Sequence, residues 1–466
     1  MTETAASTKI AGDQVEVWWS SEQSPGDAGW FAGPMPNRYA LEARPAIPLT
    51  KPAASSLATT ILVTPAHHMQ ELLGIGTSLE ETTIHNLARM SPDVRQRIIR
   101  ELTNPEHGIG LNLMRITVGT SDFTAQPFYT YNDLPEGDTD FELARFTIQR
   151  DIDLGIVDTV KEVLAAAPDV RIFASPWSPP AWMKTNHSLK RGRLKEGDEY
   201  TQALARYYRM AIGAYAEQGI PIYAMTLQNE PLLETDYPSC HMPPERQKEL
   251  AIALKAELAA NGLATKLWIF DHNFEDAFAY VAPILNDAAG YAAVDGIALH
   301  DYDGSPSVMS ELAAAYPDKP IYLTERSVWG TAGAARIAEY FRNYASSYNA
   351  WVTMLDSRIG THQWLGTPGP TMFIQDADQP DRYWRTPEYD LLGQFARFLR
   401  PGAKRIMSTG GEQPSVTNVV FANPEGNLVA TVINQTDEEQ SFRLLCEGWQ
   451  FTAALPAKTV GTYRWR

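Results

Sequence analysis

What the chain has least of narrows its chemistry first. It has two cysteines in 466 residues, Cys240 and Cys446, so a disulfide framework and a cysteine-ligated metal knuckle are both excluded. A single bridge between these two is left open by the sequence, which says nothing of their proximity. Nine histidines are scattered and no His-Glu-x-x-His stretch occurs. His300 and Asp301 could ligate a metal, yet a carboxylate-bearing site explains them without one. Gly74-Ile75-Gly76 lacks the third glycine of a dinucleotide loop. The expectation is no metal and no organic cofactor.

Long apolar runs are missing too. No stretch of about 18 apolar residues is present, which excludes a membrane-spanning helix and stable membrane insertion. The stretch Met1 to Lys9 lacks the basic and apolar segments of a leader, so the chain is expected to be soluble and cytoplasmic, or secreted if a leader has been removed. Runs of lysine or arginine are absent and the net charge is −17, so a nucleic-acid partner would be repelled. Oligomeric state is not legible.

What is there is ample apolar material: 44% of the residues, enough for a large barrel and a smaller module. Near the N-terminus, Gln14 to Trp19 and Thr59 to Val63 read as strands separated by a Pro-, Gly- and Ser-rich loop. Val416 to Ala422, Leu428 to Asn434, Ser441 to Leu445 and Val460 to Trp465 read likewise at the other end. Short strands at such spacing predict an antiparallel β-sandwich built from both termini, residues 1–70 and 401–466.

Residues 71–400 instead alternate strand with helix. The strands are expected at Leu73–Thr77, Leu111–Ile116, Arg171–Ser175, Ala224–Leu227, Lys266–Phe270, Gly296–Leu299, Ile321–Thr324 and Ala350–Leu355. Helices are expected from Pro92 to Leu102, Asp198 to about Gln218, Pro243 to Ala260 and Ala332 to Tyr344. Eight such units predict a (β/α)8 barrel, which gathers its chemistry at the C-terminal ends of the strands.

Two of those ends carry glutamate. The fourth strand runs into Gln228-Asn229-Glu230-Pro231, and the seventh stops at Glu325. A glutamate after a strand is ordinarily a solvated loop residue, but two on separate strands of one barrel suggest an acid and a nucleophile. Glycosidic bonds leave through a poor alkoxide; protonation from one carboxylic acid and attack by a second carboxylate solve that problem. Asn229 beside the acid suits a hydrogen bond to a sugar 2-hydroxyl. Other strand ends offer aromatic faces and polar groups for a sugar ring: Glu80, Asp122, Trp177, the run Asp271-His272-Asn273, His300 and Tyr302.

Taken together, Gly74 to Glu80, Arg115 to Phe123, Ala174 to Asn186 and Gln228 to Pro231 resemble the glucosylceramidase family, glycoside hydrolase family 30. The Ser-Pro-Trp to Lys-Thr-Asn block is the most specific part, and the resemblance covers roughly Leu73 to Arg466. It implies a barrel fused to a β-sandwich and retention of anomeric configuration. By position it implies Glu230 as acid/base, Glu325 as nucleophile, Trp177 as a sugar-facing tryptophan, Glu80 as an acidic sugar ligand, and His300 and Tyr302 as a His-x-Tyr pair.

There are departures from that pattern. Asp301 stands where the family usually has tryptophan, Arg326 directly follows the second glutamate, and Met354 stands where a tryptophan is expected at the end of the eighth strand. The expected activity is hydrolysis of β-glucosidic bonds in glucosylceramide-like compounds or β-1,6-glucan, so the partner is a carbohydrate or glycolipid substrate. Xyloside, fucoside and galactoside activity within the same family are the alternatives, and a non-catalytic carbohydrate-binding protein is the rival from another class.

Overall fold

Eight short strands between Gly74 and Ala350 run parallel and close on themselves: β1 (Gly74–Ser78), β2 (Leu113–Val118), β3 (Arg171–Pro176), β4 (Ile222–Thr226), β5 (Lys266–Asn273), β6 (Gly296–His300), β7 (Ile321–Glu325) and β8 (Ala345–Ala350). The structure, a computed structural model, describes residues 13–22, 29–34, 37–52, 59–369, 371–410 and 415–466. The stretch Met1 to Lys9, on which the expectation about a leader rests, lies outside them.

The strands are covered by helices outside and by one another's side chains inside, so β2 is buried along its whole length. Leu113, Phe173, Ala224, Trp268, Ala298 and Tyr322 fill the barrel, with Trp268 stacked on Tyr322 at 4.1 Å. The interior is a packed core, which leaves the strand ends for chemistry. β1 and β2 approach so closely that a Cβ on Gly76 would stand 1.5 Å from the Leu113 carbonyl oxygen, so only glycine fits there.

The helices follow their sequence signals. Pro92 opens Pro92–Thr103, where its missing N–H costs nothing, and Asp198 and Glu199 open the long helix Asp198–Glu217 at its positive end. The loops after β3 and β4 are tied together by the buried ammonium of Lys184, which donates to Ser178 Oγ (3.0 Å), Leu189 O (2.9 Å) and Ser239 O (2.5 Å).

One strand differs from expectation. The eighth is Ala345–Ala350, Ala-Ser-Ser-Tyr-Asn-Ala, five residues ahead of the apolar run that signalled it. Consequently Trp351, not Met354, stands at its end, and the departure inferred at Met354 is corrected.

Nine further strands form a single sheet in the order Trp449–Leu455, Gln440–Cys446, Thr59–Glu71, Lys404–Ser408, Thr417–Ala422, Leu428–Asn434, Thr459–Trp465, Gln14–Ser21, Glu42–Pro48. Three come from the N-terminal side and six from the C-terminal side. Pairing is antiparallel except between Thr59–Glu71 and Gln440–Cys446. The two edges meet at a bridge between Thr50 and Gln450, so the sheet curls over its own core of Val15, Ile61, Phe442, Phe451, Tyr463 and Trp465. Cys240 and Cys446 are both buried free thiols. No helix among the described residues is long and apolar enough to cross a membrane.

Candidate active site

Leaving β4, the chain turns sharply. Glu230 has φ of +46°, a left-handed conformation that costs a non-glycine residue roughly 1–2 kcal/mol. Neighbouring strands hold it there: Glu230 N donates to the Asp271 carbonyl (2.9 Å) and Asn229 N to the Pro176 carbonyl (2.8 Å). β7 simply ends on Glu325. One carboxylate oxygen from each glutamate and a ring nitrogen of His300 all lie within 4.8 Å of one another.

Arg115, in the middle of β2 and fully buried, organises the floor. Its guanidinium donates to Glu325 Oε2, to Asn229 Oδ1 (2.9 Å), to Asp271 Oδ2 (3.0 Å) and to Ser175 Oγ (3.0 Å). The rings of Trp177 and Trp351 lie 4.8 and 5.5 Å from it. A planar fork of five donors suits this four-way arrangement, and an ammonium would not. Sequence reasoning gave Arg115 no role and took Asp271 only as a polar group at the end of the fifth strand. The available signal was a charge inside Leu-Met-Arg-Ile-Thr-Val, which a buried strand tolerates only opposite an anion.

Around this ion pair the proton equilibria separate. Burial alone would raise Asp271, but Arg115 and His300 hold its carboxyl well below the usual carboxylate range. Burial would likewise lower His300; the charges of Glu325 and Asp271 override it and push the imidazole up to about 10. His300 Nε2 lies 3.0 Å from Asp271 Oδ1, and its Nδ1 faces Glu230 Oε1 at 3.5 Å. Glu230 itself is raised, first by burial and then by Glu325, against the opposing contact with His300. His272, buried beside them with Nδ1 3.9 Å from Glu230, is pushed down to about 3 by burial and by the charge of His300.

The other expected residues divide. Tyr302 donates its hydroxyl to Glu325 Oε1 at 2.8 Å while its ring stays 44% exposed. Trp177 is stacked on Trp351 at 5.2 Å, and with Phe123 they wall one side. Asp122 belongs to the same region; burial, then the charges of Glu325, Glu230 and Glu80, raise its carboxyl well above the ordinary range. Glu80 is different. It caps the helix Glu81–Ala88, accepting from Thr83 N (3.1 Å), Thr83 Oγ1 and Ser78 Oγ (2.6 Å), and none of it is exposed. It secures the corner after β1. Asp301 points out of the site to the helix Gly330–Arg342, where it accepts two hydrogen bonds from Arg336 (2.7 and 3.0 Å) and one from Tyr340.

Glu230, His300 and Glu325 are close enough to share a cation. The donor set is poor for one: Arg115 already supplies Glu325 with positive charge, and a protonated imidazole offers no lone pair.

Residues 72–399 match the model of the glycosyl hydrolase family 30 TIM-barrel domain, and residues 402–463 that family's beta-sandwich domain. An endo-1,6-beta-D-glucanase of Aspergillus fumigatus is 27% identical over 432 residues, 87% of each chain. The mouse lysosomal acid glucosylceramidase is 26% identical, covering 89% of this chain and 85% of its own. Among solved structures, SrfJ from Salmonella typhimurium superposes with a TM-score of 0.86 at 25% identity, covering 97% of this chain and 99% of its own. An endo-beta1,6-glucanase gives 0.84 at 26% identity with the same coverage.

Proposed function

The chain belongs to glycosyl hydrolase family 30, and from that membership and its paired carboxylates we propose that Glu230 is the acid/base and Glu325 the nucleophile of a double displacement at β-glucosidic bonds. The observation that carries this reading is the approach of the two carboxylates to within 4.8 Å, in keeping with the roughly 5–5.5 Å of retaining enzymes rather than the roughly 6.5–9.5 Å that admits a water.

The surroundings support the division of roles. Glu325 receives a guanidinium and a phenol hydroxyl, which suits a carboxylate that attacks as an anion. Glu230 is the carboxyl whose proton is favoured by burial and by its neighbour's charge. In the first step C1 bonds to a Glu325 oxygen as its bond to the glycosidic oxygen breaks, and that oxygen takes the Glu230 proton and leaves as an alcohol. Esterified Glu325 is neutral, so the like charge that raised Glu230 disappears. Glu230 then becomes a base that takes a proton from water as that water releases the sugar from Glu325.

Asn229 has its amide oxygen fixed on Arg115, which leaves its NH2 to donate to the sugar 2-hydroxyl. Trp177 and Trp351 offer ring faces beside it, and Asp122 offers a carboxyl whose proton is favoured by burial. The substrate classes this reading admits are β-1,6-linked glucan and glucosylceramide-like glucosides. Incubation with a 2-deoxy-2-fluoro-β-glucoside carrying a dinitrophenyl leaving group should trap the intermediate. Peptide mass mapping is expected to find the fluoroglucosyl group on Glu325; labelling of Glu230, or of neither, would refute the assignment.

A further inference from the structure

Side chains alternate in direction along a strand and its immediate extension, and the end of β6 keeps that alternation. His300 and Tyr302 reach the carboxylate pair, while Asp301 between them reaches the helix Gly330–Arg342. His300 is fully buried and held by Asp271 Oδ1 at 3.0 Å. Tyr302 lacks such packing: it is 44% exposed, yet its hydroxyl lies 2.8 Å from Glu325 Oε1. No close-packed cavity aims a half-exposed ring, so its backbone must. The Tyr302 N–H donates to Asn273 Oδ1 (3.1 Å), and the remaining anchor is residue 301.

That anchor is a two-pronged ion pair. Arg336 donates from Nε to Asp301 Oδ2 (2.7 Å) and from Nη2 to Oδ1 (3.0 Å), and the Tyr340 hydroxyl adds a third hydrogen bond. The Asp301 side chain is only 7% exposed, so the pair is largely out of water and fixed in geometry as well as charge. The same helix holds the other side of the Tyr302–Glu325 contact. Tyr340 stacks on Tyr348 with ring centroids 6.2 Å apart, and Tyr348 donates its hydroxyl to the carbonyl of Arg326 (2.7 Å), the residue after Glu325. Arg326 in turn lays its guanidinium over the Tyr302 ring at 4.9 Å. The tryptophan usual in the family at position 301 would offer one donor and no acceptor, so this clamp is a feature of the present chain.

We infer that Asp301 and Arg336 are positioning residues that hold the Tyr302 hydroxyl on Glu325, and that through it they govern the second step of the reaction more than the first. The inference rests on the reading of Glu325 as the nucleophile given above. A hydroxyl bound to a carboxylate is held most strongly when the carboxylate carries its full charge. Attack on C1 removes that charge, so the hydrogen bond does little for the first step. Hydrolysis restores it: water bonds to C1 as the bond from C1 to the Glu325 oxygen breaks, and the returning carboxylate meets a hydroxyl already in place. To test this, kcat and KM on dinitrophenyl β-glucoside are measured for the wild type, Asp301→Asn, Arg336→Gln, Tyr302→Phe and the two double variants that join either clamp change to Tyr302→Phe. That leaving group needs no proton, so slower release from Glu325 shows in kcat, while kcat/KM reads the first step.

Asp301→Asn and Arg336→Gln should each lower kcat about tenfold, the scale of one hydrogen bond to a charged group. KM should fall with it, leaving kcat/KM within about threefold of wild type, and a burst of dinitrophenol should precede the steady state as the intermediate accumulates. Tyr302→Phe should behave alike, and joining either clamp change to it should alter kcat by no more than about twofold further, because the hydroxyl they position is already gone. A kcat within about twofold of wild type in either folded clamp variant, a rise in KM, or losses that multiply with that of Tyr302→Phe, as general loosening of the fold would give, overturns the clamp alone. If Asp301→Asn does not fold, Arg336→Gln, whose side chain is 31% exposed, decides by itself. A wild type inert to this glucoside overturns the β-glucosidase reading, and the clamp's role with it.

Discussion

Arg115 Nη1 donates to Glu325 Oε2 in a pair shut away from water, their side chains 0% and 7% exposed. The same guanidinium compensates Asp271, so its removal strands two carboxylates in the core. Arg115→Met should therefore destabilise the fold by about 3–5 kcal/mol in urea unfolding. Arg115→Lys keeps the charge but not the fork, and should still lower kcat/KM roughly a hundredfold, as loss of a preorganised donor does. Near wild-type activity in Arg115→Lys would show that the fork does not matter.

The position of the basic limb of the pH–rate profile should report His300. Its positive charge beside Glu230 opposes the burial and the Glu325 charge that raise that carboxyl. In His300→Asn the opposition is lost, Glu230 holds its proton to higher pH, and the basic limb of kcat/KM moves upward even as the rate falls. A limb that stays in place or moves down would separate His300 from the acid.

Stability should fall between pH 5 and pH 7.5. Glu80 and Glu388 are pushed up to about 7, and Asp151 and Asp390 to about 6, in each case chiefly by burial. A raised carboxyl contributes stability fully below its unfolded pKa of about 4, and that contribution is lost as pH rises through the folded value. His300, raised to about 10, acts in the same sense above about pH 6.5, while His272, pushed down to about 3, opposes the trend below it. Asp122, Asp133 and Glu230, also raised chiefly by burial, add to the fall, and with them the carboxyls outweigh His272 and the half-buried His241 and His362, which burial lowers. Differential scanning calorimetry should give a lower Tm at pH 7.5 than at pH 5, and a flat or rising Tm would contradict these burial effects.

How much of this the sequence disclosed depends on what each residue's neighbours are. Seven barrel strands were legible because each is a run of apolar residues closed by a polar turn, and Glu230 and Glu325 stood out as the charges on which two such runs end. β8 was misplaced because Ala345–Ala350 is small and polar, its burial decided by β1 and β7 on either side rather than by its own composition. Glu80 stands at a spot after a strand where a helix cap and a sugar ligand look alike in sequence, and its cap contacts with Thr83 and Ser78 were not legible there. The role of Arg115 depends on partners from four other strands or their ends, at Ser175, Asn229, Asp271 and Glu325, and no local pattern encodes that convergence.

The stereochemistry of azide capture tests the central assignment most directly. In Glu325→Gly, azide can enter the vacated space and attack an activated β-glucoside once, giving an α-glucosyl azide. In Glu230→Ala, a dinitrophenyl β-glucoside needs no proton, still glycosylates Glu325, and yields to azide a β-glucosyl azide by two inversions. NMR of the two products should therefore show α from Glu325→Gly and β from Glu230→Ala. The reverse pairing would exchange the acid and the nucleophile, and a loss of activity below about a hundredfold in both variants would remove the pair from the chemistry.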